Sequence, residues 1–176
     1  MPPPSPDPAL QTLQRIDDAL PLESIVPFGD LLLGGGMLLL VVVLHGFLMR
    51  WVQTHVVRRT KILEKVPVEW KADLVMATAV LALLAAVLFE MVLWTAAIKY
   101  AGLFRTWGGV AYYAANTYTT LGYGTKMLPE AWQMVGPIMA ISGLFTFGWT
   151  GSVLVEVVGR VGRIKDLVEQ ERHPAP

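Results

Sequence analysis

Residues 117–126 read "TYTTLGYGTK". The stretch holds four threonines, two tyrosines and two glycines, with no formal charge before Lys126. Long apolar runs flank it: "LVMATAVLALLAAVLFEMVLWTAAI" from Leu74 to Ile98, and "MVGPIMAISGLFTFGWTGSVLV" from Met134 to Val155. What a polar, glycine-containing segment does between two such runs depends on the solvent around them, and that choice decides the fold.

The runs are membrane-length. A hydrocarbon core of about 30 Å needs roughly 20 helical residues, and Leu31–Met49, "LLLGGGMLLLVVVLHGFLM", is a third segment of that kind. A chain of 176 residues that is 54% hydrophobic and 16% charged, with mean hydropathy +0.51, cannot wrap three such helices in polar structure. The expectation is an all-α integral membrane protein with three transmembrane helices. Balanced charge, 14 basic against 14 acidic residues, argues against a nucleic-acid partner, and the absence of cysteine excludes disulfides and thiolate metal sites. No nucleotide fingerprint, metal constellation or catalytic constellation stands out, so neither an enzyme nor a resident cofactor is expected.

Positive charge orients the spans. Arg50, Arg58, Arg59, Lys61, Lys65 and Lys71 follow the first span, and Arg160, Arg163, Lys165 and Arg172 follow the third; Arg15, Lys99, Arg105 and Lys126 are all that the other side receives. This bias predicts a multi-pass protein of the cell (inner or plasma) membrane with its N-terminus outside and its C-terminus cytoplasmic. Trp51 and Trp70 then flank the inner ends, Trp94, Trp107 and Trp132 the outer ends, and Trp149 reads as a packing residue. The expected divisions are a Pro-rich outer arm with a short amphipathic helix (1–30, the helix near 9–20), an additional N-terminal span (31–50), a basic cytoplasmic loop (51–72), an outer helix (73–99), a short helix (106–118), a glycine-containing loop (119–125), an inner helix (133–158) and a cytoplasmic tail (159–176). The basic loop reads either as ordinary positive-inside charge or as a contact with anionic membrane lipid.

The opening stretch lies in the outer connection. "WGGVAYYAANTY", Trp107 to Tyr118, has helical character but is too short to span, so the connection reads as a re-entrant hairpin. Non-helical backbone at membrane depth is tolerated only where it is buried in protein or lines a watery path. Gly122 and Gly124 with positive φ would turn neighbouring carbonyls the same way, making one wall of a cation-coordinating cage. Closing the cage needs a ring of copies, hence a cyclic homotetramer.

"TTLGYG" resembles the selectivity filter of potassium channels, whose four TVGYG loops replace a potassium ion's hydration shell with carbonyl oxygens. "WGGVAYYAANTYTT" is similar to that family's pore helix, and "GLFTFG" (143–148) to its glycine-hinged inner helix. The resemblance covers about 74–158, and the chain as a whole looks like small bacterial three-span members of the superfamily. It implies potassium-selective, passive conduction. Thr120, Leu121, Gly122 and Tyr123 would coordinate K+, Gly124 would shape the outer mouth, and the Leu121 and Tyr123 side chains would pack behind the filter. Gly143 and Gly148 would be gating hinges, with close helix packing through Gly143, Gly148, Gly151 and Ser152 as the alternative. A weakly selective cation channel, a subunit of a potassium transporter and a non-conducting scaffold are the rival readings.

Departures from the family fall around the filter. Leu121 replaces the usual valine. Thr125 and Lys126 stand where an aspartate normally begins the outer mouth, and Asn116 stands where some members carry a carboxylate. Support for the filter would then fall to Thr119, Asn116, Tyr113, Thr125 and Glu90. Glu90, about 12 Å below the outer end of its span, is expected either to face the end of the short helix or to be satisfied by another helix. His45, some 9 Å away in depth by the same rise, reads as a helix-packing histidine, with a pH sensor as the alternative, and as a poor partner for Glu90. Glu156 and Arg160 share a helix face and read as a surface pair, with a charged ring at the inner end as the alternative. Gly34–Gly36 read as a packing surface, and Pro137 as a first-turn proline. No helix carries arginine at every third position, so no voltage sensor is expected.

Overall fold

The fold is given by a computed structural model that describes residues 28–65, 68–124 and 127–172. The described residues form four α-helices and no strand: α1 (Phe28–Leu63), α2 (Glu69–Tyr100), α3 (Trp107–Tyr118) and α4 (Val135–Arg172), with a 3₁₀ turn at Glu130–Trp132 before α4. Helices α1, α2 and α4 pack against one another as a three-helix bundle, and α3 leans on α2 and α4 near one end. All three long helices are apolar enough and long enough to cross a membrane. The expected N-terminal arm and amphipathic helix lie outside the described residues.

Two expected boundaries need correction. The basic loop 51–72 is mostly helix, because α1 continues to Leu63 and α2 starts at Glu69; the tail is helical as far as Arg172. An apolar run measures only the part of a helix that sits in hydrocarbon. Residues 51–63 and 156–172 contain no proline to stop the turn, and they gain tertiary support. Val56, Leu63, Ala72, Val157, Val161 and Ile164 extend one continuous core to that end of the bundle. At 36, 32 and 38 residues, the helices reach roughly 48 to 57 Å, well beyond the hydrocarbon thickness.

A second core lies at the other end. Trp94 and Ile98 of α2, Val110, Ala114 and Tyr118 of α3, and Val135 and Met139 of α4 are buried together. The i, i+4, i+8 spacing of Val110, Ala114 and Tyr118 is the apolar stripe that seats α3. Asp30, fully buried in the first turn of α1, accepts a hydrogen bond at 2.9 Å from the Met134 amide, so one helix start steadies the start of another. Pro137 falls in the first turn of α4, where its missing N–H leaves no helical bond unmade.

Candidate functional site

Helix α3 begins with Thr106, whose hydroxyl accepts from the Gly109 amide at 3.2 Å, and it is only 12 residues long. Its far end is a Schellman motif. The Thr120 amide donates to the Thr117 carbonyl at 3.0 Å and the Leu121 amide to the Asn116 carbonyl at 2.9 Å. The left-handed position is Thr120, with φ 59°. A β-branched residue is strained there by about 1–2 kcal/mol.

The next amide continues the pattern, since Gly122 N–H reaches the same Asn116 carbonyl at 3.3 Å. Two successive amides therefore point to one side. Every described peptide is trans, and in a trans peptide C=O opposes N–H, so the carbonyls of Thr120 and Leu121 both face away from α3. In a regular strand they would alternate. Gly122 has φ 73°, as expected, but Gly124 does not take positive φ; Thr120 does so in its place. The reason is local: the first reversal is made by the helix cap, before the glycines are reached.

Below this segment a polar chain runs through all four helices. Tyr118 of α3 donates its hydroxyl proton to Glu90 Oε2 of α2 at 2.8 Å, and its oxygen lies 2.6 Å from Thr146 Oγ1 of α4. His45 Nδ1 of α1 lies 2.7 Å from Glu90 Oε1. His45, Glu90 and Thr146 are fully buried, and Tyr118 nearly so. Tyr118 has one hydroxyl proton, so Thr146 is the donor between those two, and the chain runs Thr146 to Tyr118 to Glu90. The single Thr146 proton is shared between the Tyr118 oxygen and the Gly143 carbonyl, 3.1 Å from Thr146 Oγ1, and Trp149 caps the His45 ring edge-on, with centroids 5.3 Å apart.

The expectation that His45 and Glu90 are too far apart in depth is overturned. The two helices are tied by a hairpin, and depth should be counted from it. His45 lies 18 residues before Leu63 and Glu90 lies 21 residues after Glu69, a difference in height of only about 4.5 Å. Counting from hydropathy boundaries misplaced them because both helices overrun those boundaries.

Gly143 lets α4 lie directly against the end of α3. A Cβ there would overlap the Tyr118 carbonyl oxygen and lie 2.9 Å from its carbonyl carbon. It is thus a packing glycine within the chain. Gly148 and Gly151 meet nothing within 4 Å and are not part of that contact. Of the Gly34–Gly36 run only Gly34 is tight, with Ile138 Cδ1 2.7 Å from its would-be Cβ.

The remaining expected support residues are partly engaged. Asn116 supports the segment through its backbone carbonyl. Its side-chain amide donates to the Tyr112 carbonyl at 2.9 Å, and its Oδ1 is buried without a partner. The Thr119 hydroxyl is taken up by the Ala115 carbonyl at 2.6 Å. Tyr113 packs its hydroxyl against Gly136. Thr125 lies outside the described residues. The Leu121 and Tyr123 side chains, expected to pack behind the segment, are 55% and 78% exposed in the single chain. An open cavity of about 600 Å³ separates the segment from the start of α4, with Asn116, Thr120, Gly122 and Met134 among its walls.

Sequence reasoning missed Tyr118, Thr146 and the Trp94–Ser142 hydrogen bond of 3.3 Å. One signal was available. A glutamate inside an apolar run requires donors, and Tyr118 and His45 were the candidates at compatible depth. Glu156 does pair with Arg160, at 2.9 Å, and also accepts from Gln53 of α1 at 2.8 Å. Comparison with protein-family models, with curated protein sequences and with solved structures gave no match for this chain.

Proposed function

We propose that the chain is one subunit of a homotetrameric, potassium-selective channel that passes K+ down its gradient. The observation that carries this reading is the backbone of Thr120–Gly122. Its amides turn back onto the Asn116 carbonyl and its Thr120 and Leu121 carbonyls face the other way. A dehydrated monovalent cation needs several such oxygens, and one chain offers only a single wall, so four copies around an axis would complete the cage. The exposure of Leu121 and Tyr123 fits a surface that neighbouring copies cover. Thr120, Leu121, Gly122 and Tyr123 would coordinate K+, and Gly124 would shape the mouth. Glu90, through Tyr118, would fix the height and direction of the segment. Ion passage needs no covalent step; the work of the protein is to hold oxygens in place against the pull of water.

The test is the reversal potential of purified protein in planar bilayers, with K+ on one side and Na+ on the other. A value near the potassium equilibrium potential that is lost in Gly122→Asp is the expected result. A value near zero with robust current would replace this reading with a weakly selective cation channel. Absence of both current and homotetramers would replace it with a scaffold subunit.

A further inference from the structure

At the end of the bundle remote from α3, the charges are unevenly partnered. Lys165 of α4 bonds Asp73 at 2.6 Å, Arg172 of α4 bonds Glu69 at 2.9 Å, and Arg160 bonds Glu156. Three of the four cations of α4 thus engage carboxylates of α2 or of α4 itself. Among the described residues no carboxylate pairs with Arg59 of α1 or Lys71 of α2. These two line the same groove between α1 and α2, a space of about 620 Å³ that also exposes His55, Ile62, Trp70 and Leu74. Lys71 Nζ sits 5.7 Å from the centre of the Trp70 ring, which holds the ammonium at the rim. Leu74 opens the apolar run of α2, so the floor of the groove continues directly into the hydrocarbon-length part of the helix.

We propose that this groove seats one anionic phospholipid. Its phosphate lies between the Arg59 guanidinium and the Lys71 ammonium, and its acyl chains lie along Ile62 and Leu74. Charge complementarity selects the headgroup, since two cations without carboxylate partners face the same opening. The apolar wall selects a lipid over a soluble anion, because only a lipid covers Ile62 and Leu74 while it neutralises the rim. Trp70 stands at the junction of the two, where an interfacial aromatic is stable. The site requires only that the bundle lies in a bilayer, and it stands whether or not the protein conducts ions.

The experiment is native mass spectrometry of the purified full chain in detergent, with phosphatidylglycerol or phosphatidylcholine of identical acyl chains added. Retention of phosphatidylglycerol should exceed that of phosphatidylcholine by about tenfold, and the preference should vanish in the double variant Arg59→Gln, Lys71→Gln. A control, Lys61→Gln with Arg163→Gln, removes the same charge outside the groove and should keep the preference. Equal retention of the two lipids by the native chain would overturn the proposal. An equal loss in both double variants would also do so, as the mark of a diffuse field. Displacement of phosphatidylglycerol by inorganic phosphate alone would assign the site to a soluble anion instead.

Discussion

Helices α2 and α3 end with the same hydrogen-bond pattern, built from different residues. After α2 the Gly102 amide donates to the Lys99 carbonyl at 3.1 Å and the Leu103 amide to the Ile98 carbonyl at 3.3 Å, with glycine at the left-handed position, φ 75°. After α3 the corresponding residues are Thr120 and Leu121. The first end is relaxed, since glycine has no Cβ to clash and Leu103 packs into the same core as Ile98. The second carries a threonine in a conformation that disfavours it, followed by a leucine that is 55% exposed. Local preference therefore does not hold the end of α3 in place. What holds it is tertiary: Tyr118 is tied to Glu90 and Thr146, and its carbonyl rests against Gly143. Strain of this kind persists only where the surroundings over-determine it.

That contrast can be broken from the α3 side first. Glu90→Ala should have the largest effect, because it leaves His45 and the Tyr118 hydroxyl buried without their acceptor. A loss of about 3–5 kcal/mol is expected, read as the shift in a denaturant titration of detergent-solubilised protein. Gly143→Ala comes next, at about 3 kcal/mol, since the overlap is with backbone and cannot be relieved by a rotamer change. The check is thermal unfolding followed by circular dichroism, with Gly148→Ala as the companion that should show no such steric loss.

The two caps can then be exchanged. Gly102→Thr should destabilise the chain by about 1–2 kcal/mol by importing the strain of α3 into α2. The reverse change, Thr120→Gly, should stabilise the isolated subunit by about 1 kcal/mol while weakening potassium selectivity, because the hydroxyl is lost and the segment is freed. Lower stability together with retained selectivity in Thr120→Gly would show that the threonine is kept for packing alone. Both are measured by paired unfolding and reversal-potential experiments on the same preparations.

Much of the architecture was legible from residue order. Three apolar runs of bilayer length follow from hydropathy, and the short helix ahead of a glycine-containing segment from the apolar, helical character of 107–118. Helix ends beyond the apolar runs were not legible, because Val56, Val161 and Ile164 act through contacts between distant parts of the chain. The left-handed Thr120 was hidden for the opposite reason. Local preference argues against it, and only the anchoring of Tyr118 from α2 and α4 makes it tenable. The pairing of His45 with Glu90 was misjudged because depth was counted from the wrong landmark. Asn116 was identified as support, but it acts through its main-chain carbonyl, which carries no residue-specific signature.

The contact between His45 and Glu90 has a bearing on biogenesis. An ionisable side chain inside an inserting helix is unfavourable, by about 2.5–3.5 kcal/mol for a charge at the centre on translocon scales, and α2 carries Glu90. Synthesis runs from the N-terminus, so α1 is made first and presents His45 before Glu90 emerges. Packed side by side, α1 and α2 hold His45 and Glu90 at nearly equal height, with His45 Nδ1 2.7 Å from Glu90 Oε1. Were α1 and α2 to enter a bilayer as one hairpin, His45 would shield the acid from lipid before α3 or α4 exists, and α1 would act as an escort built into the chain.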